Sequence, residues 1–109
     1  MPRNDALQGT LDLLVLKTLA QLGSMHGFGI ALHIQQVSNE MLRVEEGSLY
    51  PALRRIEQAG WIAAEWKSSE NNRRARYYRL TTLGRQQLAR EERNWAQIVK
   101  GVSAVLHYT

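Results

Sequence analysis

The chain contains no cysteine. That absence excludes a disulfide scaffold, thiolate metal sites and thiol catalysis. Long apolar runs are also missing. The longest, Leu13 to Leu16, is far short of the roughly 20 residues that a membrane span requires. The opening Met1-Pro2-Arg3-Asn4-Asp5 lacks the charged-then-apolar order of a secretory signal, so the expected location is cytoplasmic, with no membrane partner. No Gly-rich phosphate loop occurs, and no serine sits in a G-x-S-x-G elbow. His26, His33 and His107 show no metal-like spacing and read as surface or capping residues. The expectation is a protein that is not an enzyme and uses neither metal nor cofactor.

What is present fits one globular domain. Of 109 residues, 44% are hydrophobic and 22% charged, a balance that argues against disorder. A domain this small buries about two-thirds of its unfolded surface, so a partner chain is a reasonable source of added stability. Basic residues outnumber acidic ones 14 to 10, and the excess is local. Residues 1–66 carry five basic and seven acidic side chains, whereas residues 67–93 carry eight basic and three acidic. Arginine outnumbers lysine eleven to three, and its planar fork suits phosphates and base edges.

Periodicity gives the elements. Residues 7–22 read as a helix with Leu7, Leu11, Leu14 and Leu22 on one stripe and Leu13, Leu16 and Ala20 on another. A helix apolar most of the way round must be buried on two sides, and a partner subunit is expected on one of them. Gly23 stops it. Met25-His26-Gly27-Phe28-Gly29-Ile30 opens a second helix, to about Ser38, with Ile30, Ile34 and Val37 inward. The connection Asn39 to Val44 is expected to hold a bridge residue or two. A third helix covers residues 47–59, with Leu49, Ala52, Leu53 and Ile56 inward and Gly60 as its stop. Pro51 is tolerated if Ser48 caps that helix, because the missing N–H then belongs to the first turn. Trp61 to Trp66 and Arg73 to Leu80 read as a two-stranded hairpin around a polar loop, Lys67 to Asn72. Such a hairpin must rest on the helices. Thr81 or Thr82 caps a last helix of about 24 residues, roughly 36 Å long. Leu88, Trp95 and Val102 repeat there every seven residues, with Ile98 and Val105 beside them. The pattern is heptad-like.

Helix, helix, helix, hairpin, helix is the order of a winged helix-turn-helix: mainly α with a small β-hairpin and a long C-terminal dimerisation helix. Residues 1–80 are expected to form the DNA-binding unit, with helix 7–22 shared with the dimer interface, and residues 81–109 the dimerisation helix. The third helix presents Ser48, Tyr50 and Pro51 near its start and Arg54 and Arg55 further on. Those arginines can reach guanine edges or phosphates. The hairpin adds Arg73, Arg74 and Arg76, expected on the backbone, where they supply affinity with little sequence information.

Five stretches sharpen this reading: Gly9-Thr10-Leu11-Asp12-Leu13-Leu14, Met25-His26-Gly27-Phe28-Gly29-Ile30, Glu45-Glu46-Gly47-Ser48-Leu49-Tyr50-Pro51-Ala52-Leu53, Gly60-Trp61-Ile62 and Arg76-Tyr77-Tyr78-Arg79-Leu80-Thr81. Together they resemble the PadR family of bacterial transcriptional regulators, in order, over roughly residues 7–106. The resemblance implies a homodimer that represses by binding operator DNA, with the final helix swapped across the dimer, and a short-tailed member of the family. Where the family often has a tyrosine whose hydroxyl meets a phosphate, this chain has Phe28. Its ring then either packs in the core or abuts the sugar backbone.

Each assignment has a plainer rival. Tyr50 can instead sit half-buried between helix and hairpin, and Arg54 and Arg55 can pair with Glu57 or Glu46. Leu88, Trp95, Ile98, Val102 and Val105 are assigned to the dimer seam. Trp95 is also the one residue placed in a pocket for a small aromatic effector. The expected function is a sequence-specific repressor on a pseudo-palindromic operator. One alternative is a DNA-binding domain that works mainly through a protein partner. The other is a helical dimerisation or adaptor module whose basic face meets an acidic protein or a membrane surface.

Overall fold

The computed structural model describes the backbone of residues 5–68 and 71–109, and the side chains of residues 9–68 and 71–109. The amino-terminal Met1 to Asn4, the Leu7 side chain of the first apolar stripe, and Ser69 and Glu70 of the hairpin loop lie outside the described residues. The elements run α1 (Asp5–Leu22), β1 (Met25–His26), α2 (Gly27–Val37), α3 (Glu46–Gln58), β2 (Ile62–Ser68), β3 (Arg74–Leu80) and α4 (Thr82–Leu106). Four helices surround one small antiparallel sheet.

α1 is the centre of the molecule. Val15, Leu16 and Leu19 are fully or almost fully buried, and the helix touches α2, α3, α4 and β3 of its own chain. Much of its apolar circumference is therefore covered from within the protomer. A chain with one long trailing helix and a hairpin has enough surface to wrap a single helix. Ile30 and Ile34 of α2, Leu49, Leu53 and Ile56 of α3, Ile62 of β2, Tyr78 of β3 and Leu88 of α4 complete the core. Val37, expected inward, is 64% exposed. It is the last residue of α2, beyond the reach of α1 and α3.

The sheet has three strands in the order β1-β3-β2, one more than the expected hairpin. Met25 and His26 leave the helical pattern and pair with Tyr78 and Tyr77, so the second helix starts two residues later than its motif suggested. β1 ties the helix-turn-helix to the wing. His26 then caps α2, its Nδ1 accepting the Gly29 N–H at 2.9 Å. No bridge forms between Asn39 and Val44. Instead Asn39 and Glu40 take consecutive positive φ values of 54° and 66°, and the chain reverses there.

Two glycine stops hold. Gly23 and Gly60 have φ of +82° and +84°, the left-handed conformation that glycine adopts at low cost. α3, however, starts at Glu46 with Glu45 as its cap residue, and no side chain caps it. Ser48 is thus inside the first turn, not before it, and Pro51 lies beyond that turn. Its missing N–H leaves the Gly47 carbonyl without its intrahelical donor. The break is tolerated because Gly47, Ser48 and Pro51 are all solvent-exposed, so water can supply the donor.

α4 is capped by Thr81, whose Oγ1 accepts the Gly84 N–H at 3.0 Å and donates to the Gly60 carbonyl at 2.7 Å. The helix has 25 residues, about 38 Å at 1.5 Å per residue. It overhangs a molecule whose extents are 58 × 31 × 29 Å. From Glu92 to the end every residue is exposed. No helix among the described residues is long and apolar enough to cross a membrane.

Candidate nucleic-acid interface

The surface around α3 is built from one side of a single amphipathic helix. Leu49, Ala52, Leu53 and Ile56 are buried, and this fixes the opposite side in water. Ser48, Tyr50, Pro51 and Arg54 are all exposed there. Tyr50 leans back on α2. A Cβ added at Gly27 would stand 3.0 Å from both the Tyr50 ring and its hydroxyl oxygen. The ring can lie across the start of α2 only because residue 27 has no side chain. Sequence reasoning singled out Tyr50 and missed this dependence on Gly27.

Arg55 is drawn elsewhere. Its guanidinium donates to Asp12 Oδ1 at 2.5 Å, so it ties α3 to α1 and is not a free reading residue. Neither Glu57 nor Glu46, the partners the sequence offered, takes it. The sequence gives no sign of this pair, because a residue 43 positions away leaves no local signal. Burial raises the Asp12 carboxyl above its ordinary value; Arg55 pulls it down, and Glu91 of α4 pushes it up again. Burial prevails.

The wing carries the other cations. Alternation along β2 and β3 puts Ile62, Ala64 and Trp66 on the face that also holds Tyr78, Arg76 and Arg74. Near the body this face is core, since Ile62 and Tyr78 are buried. Towards the tip it opens to water. Arg73 and Arg74 are exposed, and Arg74 lies over the Trp66 ring at 5.5 Å. Arg76 donates to Glu57 of α3 at 2.7 Å. This pair braces the wing against α3 and holds Arg76 partly back from the solvent. Burial raises the Tyr78 hydroxyl above its usual range, with the Arg76 charge opposing. Phe28, left open between core and backbone by the sequence, is 66% exposed.

Two grooves meet on this side. One is lined by Tyr50, Pro51, Arg54, Arg55 and Gln58. The other, of about 510 Å³, runs between the start of α2, Tyr50 and the inner face of the wing. Tyr50 lines both, so Arg54 and the wing arginines belong to one continuous surface.

A third cleft, of about 480 Å³, lies away from this face between α1 and α4. Gly9, Thr10 and Leu13 form one wall and Glu91, Asn94, Trp95 and Ile98 the other. Trp95 is 42% exposed at its edge. Ile98, Val102 and Val105 continue the exposed stripe, and Val99 and Leu106, not singled out from the heptad, widen it. Leu88 does not belong to it. At 8% exposure it closes the protomer's own core, which corrects its assignment to a seam between chains. α4 crosses α1 at that height, so the heptad is divided between an intramolecular and a solvent-facing half. No group of three or more His, Cys, Asp or Glu suited to a metal ion occurs among the described residues.

Helix α3 packed with the shorter α2, a strand-braced wing and a long trailing helix define a winged-helix protein of the transcription-regulator type. Solved structures share the arrangement. A PadR-family transcriptional regulator from Eggerthella lenta superposes with a TM-score of 0.76 at 30% identity, covering 94% of this chain and 88% of that one. A transcriptional regulator from Clostridium thermocellum gives 0.81 at 26% identity, over 94% and 96% of the two chains. A transcriptional regulator of Mycobacterium tuberculosis is 34% identical over 68 residues, 62% of this chain and 63% of that protein. Residues 15–90 match the Transcriptional regulator PadR-like family. The chain belongs to that family, whose members act in DNA-binding regulation.

Proposed function

We propose that the protein is a homodimeric repressor that binds a pseudo-palindromic operator, one α3 in each of two major grooves about one helical turn apart. The observation that carries the reading is the single surface on which exposed Arg54, Tyr50, Arg73 and Arg74 meet. Ser48 and Pro51 flank it at the start of α3. Arg54 reads base edges, while Arg73 and Arg74 grip phosphates. Arg76, braced by Glu57, contributes charge more than contact.

Dimerisation runs through the distal half of α4. Trp95, Ile98, Val102 and Val105, with Val99 and Leu106, make an apolar stripe on a helix that extends past its own domain, and a contiguous apolar surface of this kind is characteristic of an interface. In this reading residues 1–80 are the DNA-binding unit, with helix 7–22 shared with the dimer interface, and 81–109 the dimerisation helix; Gly9, Thr10 and Leu13 of α1 line the α1–α4 cleft. A planar aromatic effector enters that cleft against Trp95 and lowers operator affinity by favouring another spacing of the two reading heads.

Selection of bound fragments from genomic DNA by the purified protein tests the core of this. Recovery of a palindrome with half-sites about 10 base pairs apart is the expected result. Recovery of no enriched sequence overturns the reading. Saturable quenching of tryptophan fluorescence by planar aromatics, lost in Trp95→Phe but kept in Trp66→Phe, tests the effector.

A further inference from the structure

The wing holds a large apolar side chain that the protomer does not use. Ile62, Ala64 and Trp66 share the inner face of the sheet, but burial ends before the third of them. Ile62 is 2% exposed and Trp66 is 58% exposed. Opposite Trp66, across the groove of about 510 Å³, stands Phe28, also unburied. Arg73, Arg74 and Arg76 line the same groove, and among the described residues none that lines it is acidic. Apolar and cationic groups therefore share it.

One strand of a duplex has the complementary pair of groups, apolar sugar edges and anionic phosphates. We propose that Trp66 is a direct DNA contact of the wing: its indole lies on the deoxyribose edge of one strand, Phe28 closes the other side of the groove, and Arg73 and Arg74 take the flanking phosphates. The Arg74 guanidinium, 5.5 Å from the Trp66 ring centre, holds the indole in the groove before DNA arrives. The contact is indifferent to base sequence, because every nucleotide presents the same sugar. The inference rests on the DNA-binding reading above and adds to it a source of affinity that is not ionic.

That distinction makes it testable. An arginine on a phosphate releases counterions, so its loss reduces the steepness of the salt dependence by about 0.9 in the log–log slope. An apolar contact releases none. Covering about 60 Å² of indole is worth roughly tenfold in affinity. The full chain carrying Trp66→Ala or Trp66→Phe is titrated into a labelled random-sequence duplex over a range of salt concentrations, with circular dichroism confirming the fold. The expected result is an affinity loss near tenfold for Trp66→Ala at every salt concentration with the slope unchanged, and most of the affinity kept by Trp66→Phe. A loss accompanied by a shallower slope shows that the indole only positions Arg74, and overturns the direct contact. Unchanged affinity for Trp66→Ala, alongside weakened binding by Arg73→Ala and Arg74→Ala, overturns the inference and leaves the DNA reading standing. Failure of the unmodified protein to bind any duplex overturns both.

Discussion

At the scale of residues, two side-chain environments decide more than their neighbours do. Gly84 is the tighter. A Cβ there would stand 2.0 Å from the Trp61 carbonyl oxygen and 2.9 Å from its carbon, both backbone atoms with no rotamer to escape into. Glycine to alanine inside a helix usually gains about 1 kcal/mol. Here the start of α4 must move off the β2 entry, and the sign reverses. Gly84→Ala is expected to lose about 2–3 kcal/mol, a fall in Tm of roughly 10 °C or more for a domain of this size, read by thermal unfolding. Asp12 is the other. Its side chain is 11% exposed and that of Arg55 38% exposed, so solvent weakens the pair and its removal costs about 1–2 kcal/mol, less than a fully buried pair. Asp12→Asn and Arg55→Ala should be non-additive, and the double variant should unfold close to the worse single one. The pH response has a definite sign. The folded-state carboxyl sits above the ordinary value of 3.8, so the folded state retains a proton that the unfolded state has released. The Asp12 contribution is therefore greatest below the ordinary pKa and declines as pH rises through the window up to the folded one. The stability difference between the native protein and Asp12→Asn, followed by denaturation across acidic pH, should show that decline.

At the scale of elements, the proposed function divides the work of recognition between α3 and the wing. Arg54 stands on α3, while Arg73 and Arg74 stand at the wing tip. Arg54→Ala should weaken operator binding more than random-duplex binding, by about 1–3 kcal/mol in discrimination. Arg73→Ala and Arg74→Ala should weaken both alike and make the salt dependence shallower. Equal effects from the two sets, measured by fluorescence anisotropy, would show that the division is wrong. The Arg76–Glu57 brace gives a further handle. Glu57→Gln frees a cation beside the groove, so it should tighten random-duplex binding modestly while loosening the wing.

At the scale of the whole molecule, α4 does two jobs along one length. Its first turns bury Leu88 against α1 and its last turns extend beyond the domain. Trp95→Asp should leave the protomer folded, because Trp95 borders the core and does not build it, yet place a charge in the proposed seam. Sedimentation should report monomers, and operator affinity should fall together with dimerisation. An intact dimer would refute the position of the seam. In the proposed dimer both Arg54 surfaces engage one duplex only if the two protomers are held at a fixed spacing, so rigidity of α4 would bear directly on specificity.

Much of this was legible in the chain itself. The 3.6-residue pattern of Leu49, Ala52, Leu53 and Ile56 chose the buried side of α3 and so the exposed side with Arg54. Left-handed glycines at 23 and 60 stopped two helices, and the Arg-rich stretch after residue 66 located the wing. These are local properties, set by side-chain spacing and backbone sterics over a few residues. The tertiary structure alone decided the rest. Asp12 claims Arg55, Glu57 claims Arg76, α4 claims Leu88, and Met25-His26 become a third strand against β3. In each case the partners lie far apart in sequence and meet only in the folded chain. For Asp12, desolvation makes an unpaired charge too costly to leave, and no spacing rule can anticipate which distant group will meet each of these residues.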